Sequence, residues 1–302
     1  MFSIDNIKNT ILTGNCIDIM KKIPDNSISV CITDPPYNYE FIGKDWNADE
    51  IKRRTERVKS SSTLVKNIPY GSGLSGGVRN ERWYKRNREN TLAYISWTEE
   101  WGKELYRILK PGGIVFTFNS TRSVANIQTA LENVGFYARD IIVWRRNSGI
   151  PKGINIEKKL KSMGYDEAEK WKGWHSCLRN EWEAISFVQK PLNNNYFETL
   201  FKYNIGLLNA KDDFGFKSNI IENITRDKID KEINSHVTIK PLQLIEYLIN
   251  LSTPDSQESI IIDPFLGSGT TALAAKKLNR NYIGIEINPE YVDIAHYRLE
   301  NE

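Results

Sequence analysis

The run Ile28-Ser-Val-Cys-Ile-Thr33, followed directly by Asp34-Pro35-Pro36-Tyr37 and Asn38, constrains this chain more than any other stretch. Six residues of this apolar, β-branched content read as a buried strand. The tetrad cannot continue it. Two prolines fix φ twice and remove two backbone donors, and Pro36 holds Pro35 away from helical geometry. The strand is expected to end in a stiff, extended corner that shows Asp34 and Tyr37 to a cleft and leaves backbone carbonyls without local partners. Acceptors beside an aromatic face suit a neutral exocyclic amine on a flat ring. An ordinary proline-rich strand-to-loop corner would also explain the tetrad, so the second half of the chain has to decide.

There, Ile260-Ile-Ile262 runs into Asp263-Pro-Phe-Leu-Gly-Ser-Gly-Thr-Thr271. An apolar strand, a glycine-bearing turn and a helical run make a nucleotide-binding βα unit. Gly267 and Gly269 tolerate positive φ and let backbone approach a ligand, and Thr270 or Thr271 is expected to cap the helix carrying Ala272 to Leu278. No lysine follows the second glycine, so the turn is not a phosphate-cradling P-loop. A further strand, Tyr282-Ile-Gly-Ile-Glu286, ends in an acid 17 positions after Gly269, near the separation at which a carboxylate meets a ribose diol in Rossmann-type units. Asn288-Pro289 then opens a last helix.

Together these blocks resemble the S-adenosylmethionine-dependent amino-methyltransferases of DNA. The resemblance takes in D-P-P-Y at 34–37, Leu109-Lys-Pro-Gly-Gly113, His236-Val-Thr-Ile-Lys-Pro241 and D-P-F-x-G-S-G-T from Asp263. The catalytic block precedes the cofactor block by 229 positions, the order of the family's β group, in which a target-recognition region lies between them. Trp174 to Glu183, with Gln189-Lys-Pro191 behind it, also resembles a family stretch. Val237 stands where the family more often has proline, and Asn15 where many members have an acid after Gly14. The resemblance implies Asp34, Pro35, Pro36 and Tyr37 as the catalytic corner. It implies Asp263, Phe265, Gly267, Gly269, Thr270, Glu286, Asn288, Thr238 and Lys240 as contacts for S-adenosylmethionine, with His236 near the cofactor's carboxylate end. Duplex DNA is the expected partner, its target base flipped out to stack on Tyr37; Trp46 is a candidate pocket wall. The tetrad's first residue favours adenine N6 over cytosine N4. A homodimer and a cognate restriction endonuclease are further expected partners. Two rival readings are a methyltransferase for RNA or a protein amide, and a non-catalytic DNA-binding subunit that keeps the fold.

Charge segregation agrees with a polyanionic partner. Residues 51–90 hold eleven Lys/Arg against three Asp/Glu, and 144–190 hold ten against six, in a chain whose net charge is only +3. Arg53, Arg54, Arg57, Arg145, Arg146 and Arg179 are therefore candidate DNA contacts, although a solvated loop would explain 51–90 equally well. The three cysteines lack metal-ligand spacing, so no metal is expected and a reducing cytoplasm is. No apolar run approaches ~18 residues, which predicts no membrane helix.

The strand–helix alternation predicts an α/β fold: a Rossmann-like methyltransferase sheet with helices on both faces, interrupted by a basic loop and a target-recognition insertion. Residues 1–144 and 236–302 are expected to form the catalytic domain, with a mobile basic loop at about 44–95. Residues 145–235, where alternation fails, are expected to be the recognition insertion. Helical spacing is read from Trp97 to Leu109, ending at Pro111-Gly112-Gly113.

Overall fold

The computed structural model describes residues 1–37, 81–146, 153–224 and 239–301. Trp46, Arg53, Arg54, Arg57, His236 and Thr238 lie outside them.

The expected buried strand is β2 (Ile28–Thr33), buried at every position. It lies inside an eight-stranded sheet with β1 (Thr10–Thr13), β3 (Leu109–Asn119), β4 (Tyr137–Arg145), β5 (Trp182–Gln189), β8 (Ile220–Ile221), β9 (Ile260–Asp263) and β10 (Asn281–Glu286), in the order β1-β10-β9-β2-β3-β5-β4-β8. A short β6 (Lys211–Asp212) and β7 (Gly215–Phe216) pair separately. From β1 across to β3 every neighbour is parallel. The chain leaves β2 toward β3 but leaves β9 toward β10. Strand order therefore reverses between β9 and β2, and in open α/β sheets the crevice beyond the strand ends at such a reversal is where ligands bind.

Side chains alternate across the sheet as its pleat requires. Val30, Ile32, Ile114, Phe116, Phe118 and Ile261 point into one apolar layer, closed by α7 (Leu242–Ser252), α8 (Thr270–Lys277) and α9 (Pro289–Asn301). Cys31, Val115, Ile260, Ile262, Ile283 and Ile285 point into the other. That layer is closed by α1 (Ile4–Ile7), α2 (Cys16–Met20), α3 (Glu81–Ile108) and α4 (Val124–Val134). The α/β sheet with helices on both faces is the expected fold. Cys16 and Cys31 serve as small apolar residues here; burial pushes the Cys16 thiol up to about 12 and that of Cys31 well above its ordinary value.

Three expectations are corrected. First, α3 starts at Glu81, not Trp97, so the stretch read as loop up to residue 95 is helical from 81. Its buried residues, Tyr94, Thr98, Trp101, Leu105 and Ile108, fall on one stripe at spacings of three and four. Before that stripe Lys85, Asn87, Arg88, Glu89 and Leu92 are exposed. The helix also gives way directly to β3 at Leu109, and Pro111-Gly112-Gly113 lies within that strand, where its register against β2 shifts.

Second, the 145–235 stretch is not wholly an insertion. Its residues 182–189 are β5, an antiparallel strand hydrogen-bonded between β3 and β4. Glu183, Ser186 and Gln189 interrupt what would otherwise be an apolar run, yet all three are buried. Outside the sheet this stretch adds α5 (Ile156–Ser162), a 3-10 turn at Ala168–Trp171 and α6 (Tyr196–Tyr203).

Third, neither Thr270 nor Thr271 caps α8. The N-cap is Gly269, at φ +90°, and its role is packing. A Cβ there would sit 2.7 Å from Ala295 Cβ and 3.0 Å from Ala295 Cα on α9. Gly269→Ala should therefore combine left-handed strain with a backbone clash. Urea unfolding is expected to show a loss of about 2–4 kcal/mol.

Candidate active site

The crevice at the reversal is built by three neighbouring strand ends. Asp34 follows β2, Asp263 closes β9 and Glu286 closes β10. Strand spacing puts the β2 and β10 ends about 10 Å apart, a distance that a nucleoside bearing a short side arm can bridge.

Asp263 holds this region together. Its Oδ1 accepts from Thr33 Oγ1 at 2.6 Å and from the Phe265 amide at 3.0 Å; its Oδ2 accepts from Thr271 Oγ1 at 2.7 Å. One carboxylate thus ties the end of β2, the glycine turn and the first residues of α8. Burial pushes its pKa up to about 6, against the pull of those three donors. With all three donors on its own chain, Asp263 acts as a brace for the turn.

Glu286 has the geometry expected of a diol acceptor. Its Oε2 accepts from the Gly267 amide and its Oε1 from the Asn288 amide, each at 2.8 Å. A carboxylate has about four lone-pair sites, so both oxygens keep capacity for two hydroxyls. Burial raises this carboxyl above its ordinary range while the backbone donors oppose that. Gly267 sits at φ +56°, and a Cβ there would meet nothing within 4 Å; the turn borders open space. Gly14, at φ +147°, donates its amide to the Glu286 carbonyl, and Asn15 caps α2 by accepting from the Ile17 amide at 2.9 Å. Phe265 packs at 5.5 Å between ring centroids against both Trp97 and Trp101 of α3. These residues fit a nucleoside cofactor: a pinned acid for the diol, bare backbone at the turn and aromatic surface beside it.

At the β2 corner the structure adds Glu183, which sequence reading did not supply, and brings Lys240 and Arg146 there from the groups the sequence assigned them to. Lys240 Nζ donates to Asp34 Oδ2 and lies 2.9 Å from Glu183 Oε1. Tyr37 donates its hydroxyl to the same Glu183 oxygen. Arg146 stands behind, 3.6 Å from Glu183 Oε2. Lys240 therefore pairs with Asp34 and Glu183, whereas the sequence grouped it with the β9 and β10 residues. Burial works against its charge, but Asp34 and Glu183 outweigh this and hold the ammonium above its ordinary pKa. Burial also works against Glu183, which Lys240 nevertheless holds below the ordinary carboxylate range. For Asp34 burial dominates and pushes the carboxyl up, opposed by Lys240 and reinforced by Glu183. Among the described residues, Asp34 Oδ1 is buried with no hydrogen-bond partner.

Of the other arginines, Arg145 pairs with Glu222 at 2.8 Å and Arg179 pairs with Glu181, both exposed. Glu183 appeared in the sequence only as the end of a family-like stretch, and Trp97 only as the start of a helix. A buried acid in an apolar strand was the one signal that could have singled out Glu183.

An acid with an uncommitted oxygen on one side of the reversal, and a nucleoside cradle on the other, is the division of labour of an S-adenosylmethionine-dependent DNA amino-methyltransferase. The chain belongs to the DNA methylase family, whose model matches residues 28–297 and so spans both blocks. It is 32% identical over 303 residues to the type II methyltransferase M.HindIII of Haemophilus influenzae, covering 96% of this chain and 94% of that one. Solved structures share the fold. The M1.HpyAVI-SAM complex matches at a TM-score of 0.57 and 22% identity, covering 96% of this chain and 98% of that one. The PvuII cytosine-N4-specific DNA methyltransferase matches at 0.59 and 15%, covering 96% and 85%. Among the described residues no helix is long and apolar enough to cross a membrane.

The brace carries a pH signature. A carboxyl whose folded pKa is raised from 3.8 to about 6 favours the folded state most when protonated. That contribution is fully present below pH ~4 and lost as pH rises through about 6, and the shift corresponds to ~3 kcal/mol. Asp263→Asn keeps the shape without the titration. Urea unfolding at pH 4 and pH 7 should show the wild type losing ~2.4 kcal/mol more than the variant over that range; parallel losses would refute the assignment.

Proposed function

We propose that this enzyme methylates the N6 amine of adenine at a specific site in duplex DNA, with Asp34 and the Pro35 carbonyl as acceptors for the amine's two N–H bonds. The observation that carries the reading is Asp34 Oδ1, a buried carboxylate oxygen without a partner among the described residues, at the strand end beside the cofactor cradle.

S-adenosylmethionine supplies an electrophilic methyl group on a positively charged sulfur. Within the cradle, Glu286 would hold the ribose hydroxyls, while Gly267, Gly269, Thr270, Asn288 and Phe265 would shape the turn; Thr238 is proposed near its amino-acid end, and Lys240, grouped with it in the sequence, faces Asp34 instead. The chemical difficulty lies with the nucleophile, whose lone pair is delocalised into the ring. Hydrogen bonds to Asp34 and Pro35 draw that nitrogen toward sp³ geometry and return the lone pair to it. Tyr37 would stack on the flipped base. With S-adenosylmethionine bound, its S–C bond would break as the new N–C bond forms, and Asp34 or water would take the surplus proton from nitrogen. Catalysis rests on alignment and on electrostatics at the nitrogen.

Preference for adenine over cytosine N4 is supported by the tetrad beginning with Asp. The likeness to a cytosine-N4-specific enzyme extends to the fold alone. The name type II methyltransferase borne by M.HindIII supports a place in a restriction–modification system, with a cognate endonuclease, a cytoplasmic setting and homodimerisation as further proposals. The exposed Arg145 and Arg179, on or beside the 145–235 stretch, are proposed to read the target, and Arg146 to border the flipped base.

Two experiments test this. Nucleosides from DNA incubated with the enzyme and S-adenosylmethionine should contain N6-methyladenine by mass spectrometry, and N4-methylcytosine instead would move the assignment. Asp34→Ala should lower single-turnover transfer at least about 100-fold, ~2.7 kcal/mol, while duplex affinity holds; retention of a tenth of the rate would remove Asp34 from the chemistry.

The basic stretch is proposed to grip phosphates. Neutralising Arg53, Arg54 and Arg57 together should weaken binding to target and scrambled duplexes alike. It should also flatten the slope of log affinity against log salt by ~0.9 per lost contact, without changing the methylated word. An unchanged slope would mean that these arginines touch no DNA.

A further inference from the structure

Lys240 and Glu183 surround the Asp34 tetrad without a part in the chemistry proposed above. Lys240 comes from the segment before α7 and Glu183 from β5, 206 and 149 positions from Asp34. Both are largely buried, with side chains 9% and 11% exposed. Asp34 Oδ2 is occupied by Lys240, while Oδ1 has no partner among the described residues. Lys240 is itself held on its far side by Glu183 at 2.9 Å, and Tyr37 hydroxyl lies 3.4 Å from Nζ. The Lys240 ammonium also lies 5.0 Å from the Phe118 ring centroid and 5.6 Å from that of Tyr37, so its stem is enclosed by aromatic surface.

We propose that Lys240 and Glu183 are positioning residues for methyl transfer: Lys240, anchored by Glu183, pins Asp34 Oδ2 so that Oδ1 alone serves as the carboxylate acceptor for the amine. A carboxylate on a free side chain could turn either oxygen to the amine and could take up a proton in its buried corner. Clamped on one oxygen by a cation, it presents the other in a fixed direction and keeps its charge. Glu183 makes the clamp stiff by holding both Lys240 and the Tyr37 hydroxyl, so the acceptor and the aromatic face are set by one side chain of β5. The charged groups facing Asp34 are Lys240 and Glu183, with the neutral Tyr37 hydroxyl beside them, Arg146 behind Glu183 and Asp263 across on β9.

This inference rests on Asp34 as the amine acceptor, and its test separates the two. The Asp34 carboxyl carbon, identified by its loss in Asp34→Asn, is titrated by ¹³C NMR in the wild type, Lys240→Met, Lys240→Arg and Glu183→Gln. Removing the cation should raise the Asp34 midpoint by about 1–3 pH units, and removing the neighbouring like charge should lower it. Lys240→Arg should return it toward the wild type. The acid limb of the single-turnover rate should move in the same two directions, with S-adenosylmethionine affinity by calorimetry changed less than about twofold. A purely structural role would not shift the two variants oppositely. Unmoved midpoints, or a more than tenfold loss of cofactor affinity in Lys240→Met with the Asp34 midpoint unchanged, would overturn the proposal and return Lys240 to the cofactor. Because Glu183→Gln and Lys240→Arg retain size and polarity, they decide the matter if Lys240→Met does not fold. Opposite midpoint shifts in a wild-type background that transfers no methyl to duplex DNA would leave the clamp standing and refute the methylation reading.

Discussion

Everything at this site is referred to one buried carboxylate. Asp263 accepts hydrogen bonds from the end of β2, from the turn after β9 and from the start of α8. The two blocks that carry the chemistry are 229 positions apart in the chain. Adjacent parallel strands bring them side by side, and the Thr33–Asp263 bond fixes their relative height. Burying an acid is unfavourable unless its oxygens are occupied; here three donors from three elements occupy them, so a shift of any one leaves a lone pair unmatched. Such a brace lets a turn with two positive-φ glycines keep a defined shape.

Around Asp34 a second ionic group is arranged on a different principle. Two acids share one lysine in a largely buried corner, with a guanidinium at the edge. Breaking such a cluster leaves an uncompensated buried charge. A partly satisfied cluster is the natural place for chemistry, since its one uncommitted oxygen is polar, oriented and partly desolvated. Folding thus leaves a buried, oriented hydrogen-bond acceptor at the end of β2.

The antiparallel strand β5 links these two arrangements to the region read as an insertion. Its N-terminal end carries Glu183 to the catalytic corner, and the chain just before it carries Arg179 and Glu181. Glu183 and the exposed Arg179–Glu181 pair therefore lie within five residues of one another, on one strand and its lead-in.

Much of this was legible from the chain alone. The strands at 28–33 and 260–263 show as apolar runs because both their faces are covered. The corner at Asp34 shows because two prolines can only follow an extended end. The acid at Glu286 shows because it closes an apolar strand at a separation from the glycine turn that a βα unit fixes. These are local rules, in which neighbours in sequence set the geometry. Tertiary structure decided the rest. Ahead of its buried stripe, α3 exposes Lys85, Asn87, Arg88, Glu89 and Leu92. β5 hides its strand character behind Glu183, Ser186 and Gln189, whose polarity is satisfied only by residues far away in sequence. Gly269 was read as clearance for a ligand, but α9 fills that clearance with Ala295. Lys240 was grouped with the cofactor, and the fold set it on Asp34, because the partner of a buried charge is chosen by proximity in space, which no spacing along the chain encodes.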